Sequence, residues 1–526
     1  MATTTSATLD LTTFRNEPYT DFTTPENRAA MLAAMEKVRS LLGREYPILI
    51  NGERIFTDAK LTSTNPCRTS EVVGIHQKAT PALARRAVEA CHDNFKIWSK
   101  SPVLDRVQML LRTAVLIRER KFEYNAWLAF EAGKTWPEAE AEVAETVDFC
   151  EYYAREMLRF ANPPEMVQLP GESDRMRYLP LGVGIVIPPW NFAAAILCGM
   201  TCAGLVSGNT IVIKPSSETP TIAAIFAETL LEAGFPATSF AFLTGAGGAI
   251  GDELVAHPKT RFISFTGSRD VGLHINALAA QTPKEQIWIK RVVAEMGGKD
   301  CIVVDADCDL DAAVEGVAVS AFGYQGQKCS ACSRAIVHAD VYDEFVAKLK
   351  PRVERMTIGQ TDDNLAYMGA VISASAKKSI LSYIEIGKTE GRLLVGDGPI
   401  PEGGHYIPAT VFVDVDAKAR IFQEEIFGPV LAVSKARDFD HALEMANDSV
   451  YGLTGAIYSL DREHLERARD EFFVGNLYIN RKCTGAMVGA HPFGGFNMSG
   501  TDSKAGGPDY MLLFLQAKSI AEKLPT

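Results

Sequence analysis

Positive charge is what this 526-residue chain has too little of: 53 lysines and arginines face 65 aspartates and glutamates, for a net charge of −12. A broad surface for nucleic-acid phosphates needs the opposite balance, so nucleic acid is not an expected partner. Cysteine is sparse too. Ten residues, from Cys67 to Cys483, form no dense framework, which excludes a disulfide-built secreted scaffold and points to a reducing, cytoplasmic setting. The opening stretch Met1 to Asp10 lacks the basic and apolar regions of a secretion signal and the arginines of a transit peptide. An unbroken apolar run long enough for a bilayer is also missing. Tyr178 to Ile213 carries no charge over 36 positions, but Pro188 to Asn191 and Ser207 to Asn209 divide it. What remains reads as strand, loop, buried helix and strand, short of the ~20 residues a membrane span requires.

With 47% apolar and 22% charged residues the chain is globular in composition. At ~100 to 200 residues per domain its length suits two or three domains. The first 45 residues are polar and show no obvious core pattern, and Asn51-Gly52 between YPILI and ERIF signals a hairpin. Thr80 to Phe160 reads as long amphipathic helices whose charged faces are expected to be solvated surface without chemistry. After Gly182 the texture changes to short β-branched runs (GVGIVI, NTIVIKP, SFAFLTG, RFISFTGS, RVVAEMGG) separated by helical stretches, the pattern of a parallel sheet covered by helices. One of those helices is well punctuated: Thr219 is placed to cap it, Pro220 to begin it and Gly234 to stop it. A second α/β series runs from Cys301 to about Asn480, with the join at Met296, Gly297 and Gly298. No internal repeat or low-complexity linker is present.

Two loops are candidates for holding phosphates. Gly245 to Gly251 is glycine-rich but does not satisfy GxGxxG, whereas FTGS at Phe265 to Ser268 lies between a strand and a helix, where helix-end amides collect anions. Taken alone, FTGS reads first as an ordinary tight βα turn. The GKT triplets at Gly133 and Gly387 lack the glycine a P-loop needs five positions earlier.

Three loop residues stand out as reactive. Cys329, in YQGQKCS, is expected to be a thiolate activated by a nearby cation or helix end; the plain alternative is a buried inert thiol. Glu295 beside Gly297-Gly298 suits a base, although most glutamates are surface charges. Asn191, after two prolines and a tryptophan, suits an oxyanion donor or a helix cap. Cys329 and Cys332 also form a CxxC, readable as a redox pair or half a metal site. No second CxxC exists, and His338 falls in the following strand region, so no metal is expected.

Taken together, PPWNF (188–192), KPSSETP (214–220), FTGS (265–268), EMGGKD (295–300), QGQKCS (325–330), EEIFGPV (424–430) and PFGGFNMSG (492–500) resemble, in order and spacing, the aldehyde dehydrogenase superfamily. The resemblance runs from about Tyr46 to the C-terminus. Within it, FGYQGQKCSACSR (322–334), SYIEIGK (382–388) and NRKCTGAMVGAHPFGG (480–495) are similar to the branch that oxidises L-glutamate γ-semialdehyde, formed in proline degradation. The resemblance implies an α/β fold with a Rossmann-type cofactor lobe (residues 1–164 and 180–296), an α/β catalytic lobe (297–490) and a small β-flap (165–179 and 491–526) that joins subunits. It implies Cys329 as nucleophile, Glu295 as base and Asn191 as oxyanion donor. It places NAD against Pro189, Trp190, Lys214, Ser217, Gly267, Ser268, Glu425 and Phe427. Ser217 stands where NAD-preferring members commonly carry glutamate, which leaves NADP open. The substrate carboxylate is implied to meet Ser330 and the backbone at Gly485 and Ala486, with Phe192 and Phe493 sandwiching its methylenes. The tail from Tyr510 to Glu522 is expected to be an intersubunit strand of a homo-oligomer, and a proline-oxidising enzyme is the functional partner the resemblance suggests.

Overall fold

The computed structural model describes residue 11 and residues 13–525; Met1 to Asp10, where no targeting signal was expected, lies outside them. Two seven-stranded sheets dominate. In the first, Arg291–Glu295, Thr260–Thr266, Val183–Ile187, Thr210–Ile213 and Phe240–Phe242 lie side by side in parallel, and the hairpin Ile48–Ile50 and Glu53–Ile55 extends the edge. Asn51 and Gly52 form its turn with φ of 52° and 80°, the left-handed pair that matches strand twist. The chain runs outward from Val183–Ile187 to Phe240–Phe242, then returns to the opposite flank at Thr260–Thr266. That reversal opens a crevice at the carboxyl ends of the two strands, where α/β proteins bind ligands.

The second sheet orders Arg392–Val395, Thr410–Val413, Val430–Ala436, Arg334–His338, Cys301–Val304, Thr454–Tyr458 and Asn476–Ile479. Only its Arg392–Val395 edge is antiparallel. Segments entering its strands (297–300, 325–333 and 424–429) meet segments leaving the first sheet (188–194, 266–268), so the site is assembled from loops of both.

Three expectations change. The N-terminal segment does have a core pattern: Thr24 caps the helix Pro25–Arg39, which buries Met31, Ala34, Met35 and Val38 at helical spacing. Thr219 occupies the cap position of Pro220–Glu232, but its hydroxyl does not cap. The Glu131 carboxylate does so instead, accepting from the amides of Thr221 at 2.7 Å and Ile222 at 2.8 Å and from Ser63 Oγ at 2.7 Å. A buried carboxyl from another helix outcompetes the local hydroxyl because its two oxygens reach two amides, where a hydroxyl reaches one. Finally, Tyr510–Phe514 is a 3₁₀ turn, not strand, with Tyr510, Met511 and Phe514 buried in the chain's own core. The strand begins at Leu515 and pairs with Glu172–Pro180 as a two-stranded ribbon.

Glu131→Ala should therefore lower folding stability by about 2–4 kcal/mol, since it strips a buried cap and leaves amides unpaired. Thr219→Ser should be near neutral. Urea unfolding midpoints of the two variants check this, and equal losses would refute the assignment of the cap.

Candidate active site

A cavity of about 380 Å³ lies where the two sheets' loops meet, lined by Phe192, Glu295, Cys329, Ser330, Gly485, Ala486 and Phe493 among others. Cys329 reaches it from a turn in which two consecutive non-glycine residues, Tyr324 and Gln325, hold φ of 49° and 57°. Such conformations cost ~1–3 kcal/mol each and persist only when surroundings impose them. Here Tyr324 Oη donates to Ala132 O at 2.9 Å, and Gln325 Nε2 donates to Ala370 O at 2.8 Å and Gly133 O at 3.2 Å. Gln327 Oε1 accepts from the Ile372 amide at 2.9 Å. Asn191 is buried and donates through Nδ2 to Gln327 O at 3.0 Å, which ties the PPWNF loop to the cysteine turn. It caps no helix: the amides of Ala194 and Ala195 donate to Glu142 Oε1 at 2.7 and 3.3 Å.

The expected cation beside Cys329 is not there for it. The Lys328 ammonium pairs with Glu138 Oε2 at 2.6 Å. Desolvation, followed by the nearby carboxyls of Asp300, Glu425 and Glu295, pushes the Cys329 thiol up from its ordinary value, so the resting residue is a protonated thiol. The CxxC does not act as a unit either, since Cys332 is buried and donates to Arg334 O at 3.3 Å. All ten cysteines are free. Among the described residues the thiols that do gather are Cys150, Cys198 and Cys202, within 4.8 Å of one another on two packed helices, a helical spacing that sequence reading passed over.

Glu295 ends the strand Arg291–Glu295. Its Oε1 accepts from Ser503 Oγ at 2.7 Å and the Ser503 amide at 3.2 Å, and Oε2 accepts from the Gly495 amide at 3.2 Å. Burial outweighs these bonds and raises its pKa to about 7. The helix Trp136–Ala161 belongs to the helical stretch expected from sequence, but its charged face was expected to meet solvent and does not. Glu140, Glu142 and Asp148 are buried, and Glu138, Glu140, Glu145 and Asp148 line the cavity. Burial raises Glu145 to about 8 and Asp148 to about 6. An amphipathic pattern marks a polar face but does not say whether water or a pocket covers it.

On the crevice side, Lys214 is buried, and its ammonium makes one hydrogen bond, to Pro215 O at 3.4 Å. Burial lowers it to about 8. Ser217 Oγ donates to Gly245 O at 3.3 Å, and a Cβ at Gly247, Gly248 or Gly251 would meet nothing within 4 Å. Gly267 N donates to Glu295 O at 3.1 Å, and Ser268 caps the helix Arg269–Ala280. Opposite, Glu425 accepts from the Gly298 amide at 3.0 Å and is pushed up to about 7 by burial. A Cβ at Gly297 would come within 2.0 Å of its Oε2, so any larger residue there would displace the Glu425 carboxyl. Trp190 and Phe427 pack edge-on with ring centroids 5.3 Å apart, and Pro189 lies beside them in the chain. A lone buried cation, an open helix N-terminus, a carboxylate able to accept hydroxyls and two aromatics suit a dinucleotide's phosphates, riboses and ring.

A thiol and a poised carboxyl at the junction of two α/β lobes beside such a crevice define an aldehyde-oxidising class of enzyme. The aldehyde dehydrogenase family signature matches residues 56–520, and the chain belongs to that family. It is 54% identical over 509 residues to the 1-pyrroline-5-carboxylate dehydrogenase of Geobacillus thermodenitrificans, spanning 97% of this chain and 99% of that one. The crystal structure of 1-pyrroline-5-carboxylate dehydrogenase from Thermus with bound NAD superposes with a TM-score of 0.96 at 49% identity, covering 98% and 100% of the two chains. Proline utilization A from Bdellovibrio bacteriovorus gives 0.96 at 41% identity over 97% of this chain and 53% of its own.

Because Glu425 is one of the carboxyls that raise the Cys329 thiol, Glu425→Gln should lower that pKa and speed iodoacetamide alkylation of Cys329 at fixed neutral pH. Mass spectrometry of the Cys329 peptide gives the rate; an unchanged or slower reaction would contradict the electrostatic account.

Proposed function

We propose that the chain oxidises L-glutamate γ-semialdehyde, the open form of 1-pyrroline-5-carboxylate, to L-glutamate, using NAD. The observation that carries the reading is one cavity shared by the Cys329 thiol, a Glu295 carboxyl with a pKa of about 7 and a lining of Ser330, Gly485, Ala486, Phe192 and Phe493. The last five suit an amino-acid aldehyde, with donors for its carboxylate and ring faces for its methylenes. A plain alkyl aldehyde would leave those donors unpaired and be disfavoured.

The Cys329 thiol passes its proton to solvent water, the thiolate sulfur adds to the aldehyde carbon, and the carbonyl π pair moves to oxygen as the oxyanion of the thiohemiacetal. The Cys329 amide and the Asn191 side chain hold that oxygen. NAD, when bound, supplies the hydride acceptor that leaves a thioester on Cys329. Lys214, Ser217, Gly267 and Ser268 form its adenosine and diphosphate side, and Glu425, Pro189, Trp190 and Phe427 its nicotinamide side. Glu295 then takes a proton from water, the hydroxyl attacks the thioester carbon, and the sulfur leaves as thiolate with glutamate as product. A base near pH 7 is well matched to that task.

The flap ribbon pairs only Glu172–Pro180 with Leu515–Lys523 among the described residues, and its remaining edges support assembly into a homo-oligomer. The half-length match to proline utilization A supports partnership with a proline-oxidising enzyme. No described helix is long and apolar enough to cross a membrane, and the free cysteines support a reducing, cytoplasmic setting.

Absorbance of reduced cofactor with pyrroline-5-carboxylate tests the assignment. Cys329→Ala should lower turnover by about 10³-fold or more, whereas activity on succinate semialdehyde but not on this substrate would discard the substrate reading. Turnover should rise with pH through about 7 as Glu295 loses its proton. Ser503→Ala removes the hydroxyl bond that favours the charged carboxylate and leaves the amide bond in place, so the rise should move to higher pH; movement the other way would exclude Glu295 as the base. Ser217→Glu should lower any activity with NADP relative to NAD, because a carboxylate repels the 2′-phosphate.

A further inference from the structure

Lys134 lies outside every motif that marks the site, in the short link between the helices Lys121–Ala132 and Trp136–Ala161. It is 0% exposed. Its ammonium pairs with Glu142 Oε2 at 2.5 Å and sits 4.4 Å from the centroid of the Phe192 ring and 4.3 Å from that of Tyr324. Among the described residues no other acceptor reaches it. Glu142, also fully buried, spends its other oxygen on the amides of Ala194 and Ala195, just beyond Phe192.

The two rings belong to different lobes. Phe192 follows the first sheet's strand Val183–Ile187 and forms one wall of the cavity. Tyr324 opens the left-handed turn that leads to Cys329 in the second. Taking an ammonium fully out of water is costly, and an apolar residue of similar volume would fill the space without that cost. What the amine adds is attraction to two ring faces at once, at equal distances, in a dry site where cation–π contacts are strongest. We propose that Lys134 is a positioning residue for the reaction, locking the Phe192 wall of the substrate cavity to the turn that aims the Cys329 sulfur. The inference rests on the reading of Cys329 as nucleophile and of Phe192 as a substrate wall.

Lys134 touches neither substrate nor cofactor, so its loss should act through Phe192 and Tyr324. Lys134→Met should lower kcat/KM for the semialdehyde by about 30-fold, the scale of a desolvated cation–π contact. The KM for NAD should change much less than kcat/KM for the semialdehyde, because Lys134 contacts none of Lys214, Ser268 and Glu425. A kinetic double-mutant cycle with Phe192→Leu separates positioning from general weakening. In the Phe192→Leu background, Lys134→Met should cost less than about threefold more, since the partner it acts through is already altered. Lys134→Met combined with Glu142→Gln, which leaves no buried carboxylate unpaired, gives the same comparison if the single variant is insoluble. Unchanged kcat/KM in an active background, fully multiplicative losses in the cycle, or an equal rise in the KM for NAD would overturn the inference. Wild-type protein without aldehyde oxidation, or oxidation that survives Cys329→Ala, would instead sink the reading on which it rests.

Discussion

Burial of charge in one short link holds this site together. Glu131, Lys134 and Glu142 are fully enclosed, and together they grip the helix after Lys214, the loop of Phe192 and the turn that leads to Cys329. Glu131 fixes the start of the helix that follows the Lys214 loop. Lys134 meets the rings of Phe192 and Tyr324. Glu142 holds the amides behind Phe192. The backbone joins in, with the Ala132 and Gly133 carbonyls accepting from Tyr324 and Gln325 and pinning a turn that is unfavourable on its own. Ionisable groups this deep are tolerated only when they have partners, so the link has little freedom, and neither have the loops it grips.

The same enclosure sets the electrostatics. A formal charge of −12 suggests a strongly acidic protein, yet several carboxyls around the cavity do not behave as free acids. Burial lifts Glu295 and Glu425 to about 7, Asp148 to about 6 and Glu145 to about 8. These groups shed their protons near neutrality, and the resting cavity repels an incoming carboxylate less than its composition implies. Cys329 responds to the same field from the other side, since each nearby anion favours its thiol over its thiolate. The acid–base character of the site thus comes from desolvation more than from ion pairing.

Much of this could be read from local chemistry. The Asn51-Gly52 turn, the β-branched strands after Gly182, the Pro220 helix start and the loops holding Asn191, Glu295 and Cys329 are short-range patterns, and the chain writes them within a few residues. The misreadings share one cause. The polar stripe of Trp136–Ala161 is the same whether it faces water or a cavity. The KC pair at 328 and 329 does not reveal that its lysine turns to Glu138. The apolar Tyr510–Phe514 run fits a strand or an inward-packed turn equally well, and only the stacking of Tyr510 on Tyr153 decides between them.

Sequence alone therefore determined the fold class and the family, and singled out the candidate reactive groups, because strand periodicity, turn residues and motif order are properties of neighbouring positions. Tertiary structure decided their states: which carboxyls are raised toward neutrality, which cation serves which anion, and which distant residue caps a helix. Those depend on desolvation and on contacts across more than a hundred residues, as between Asn191 and Gln327, 136 positions apart, and no local pattern records them.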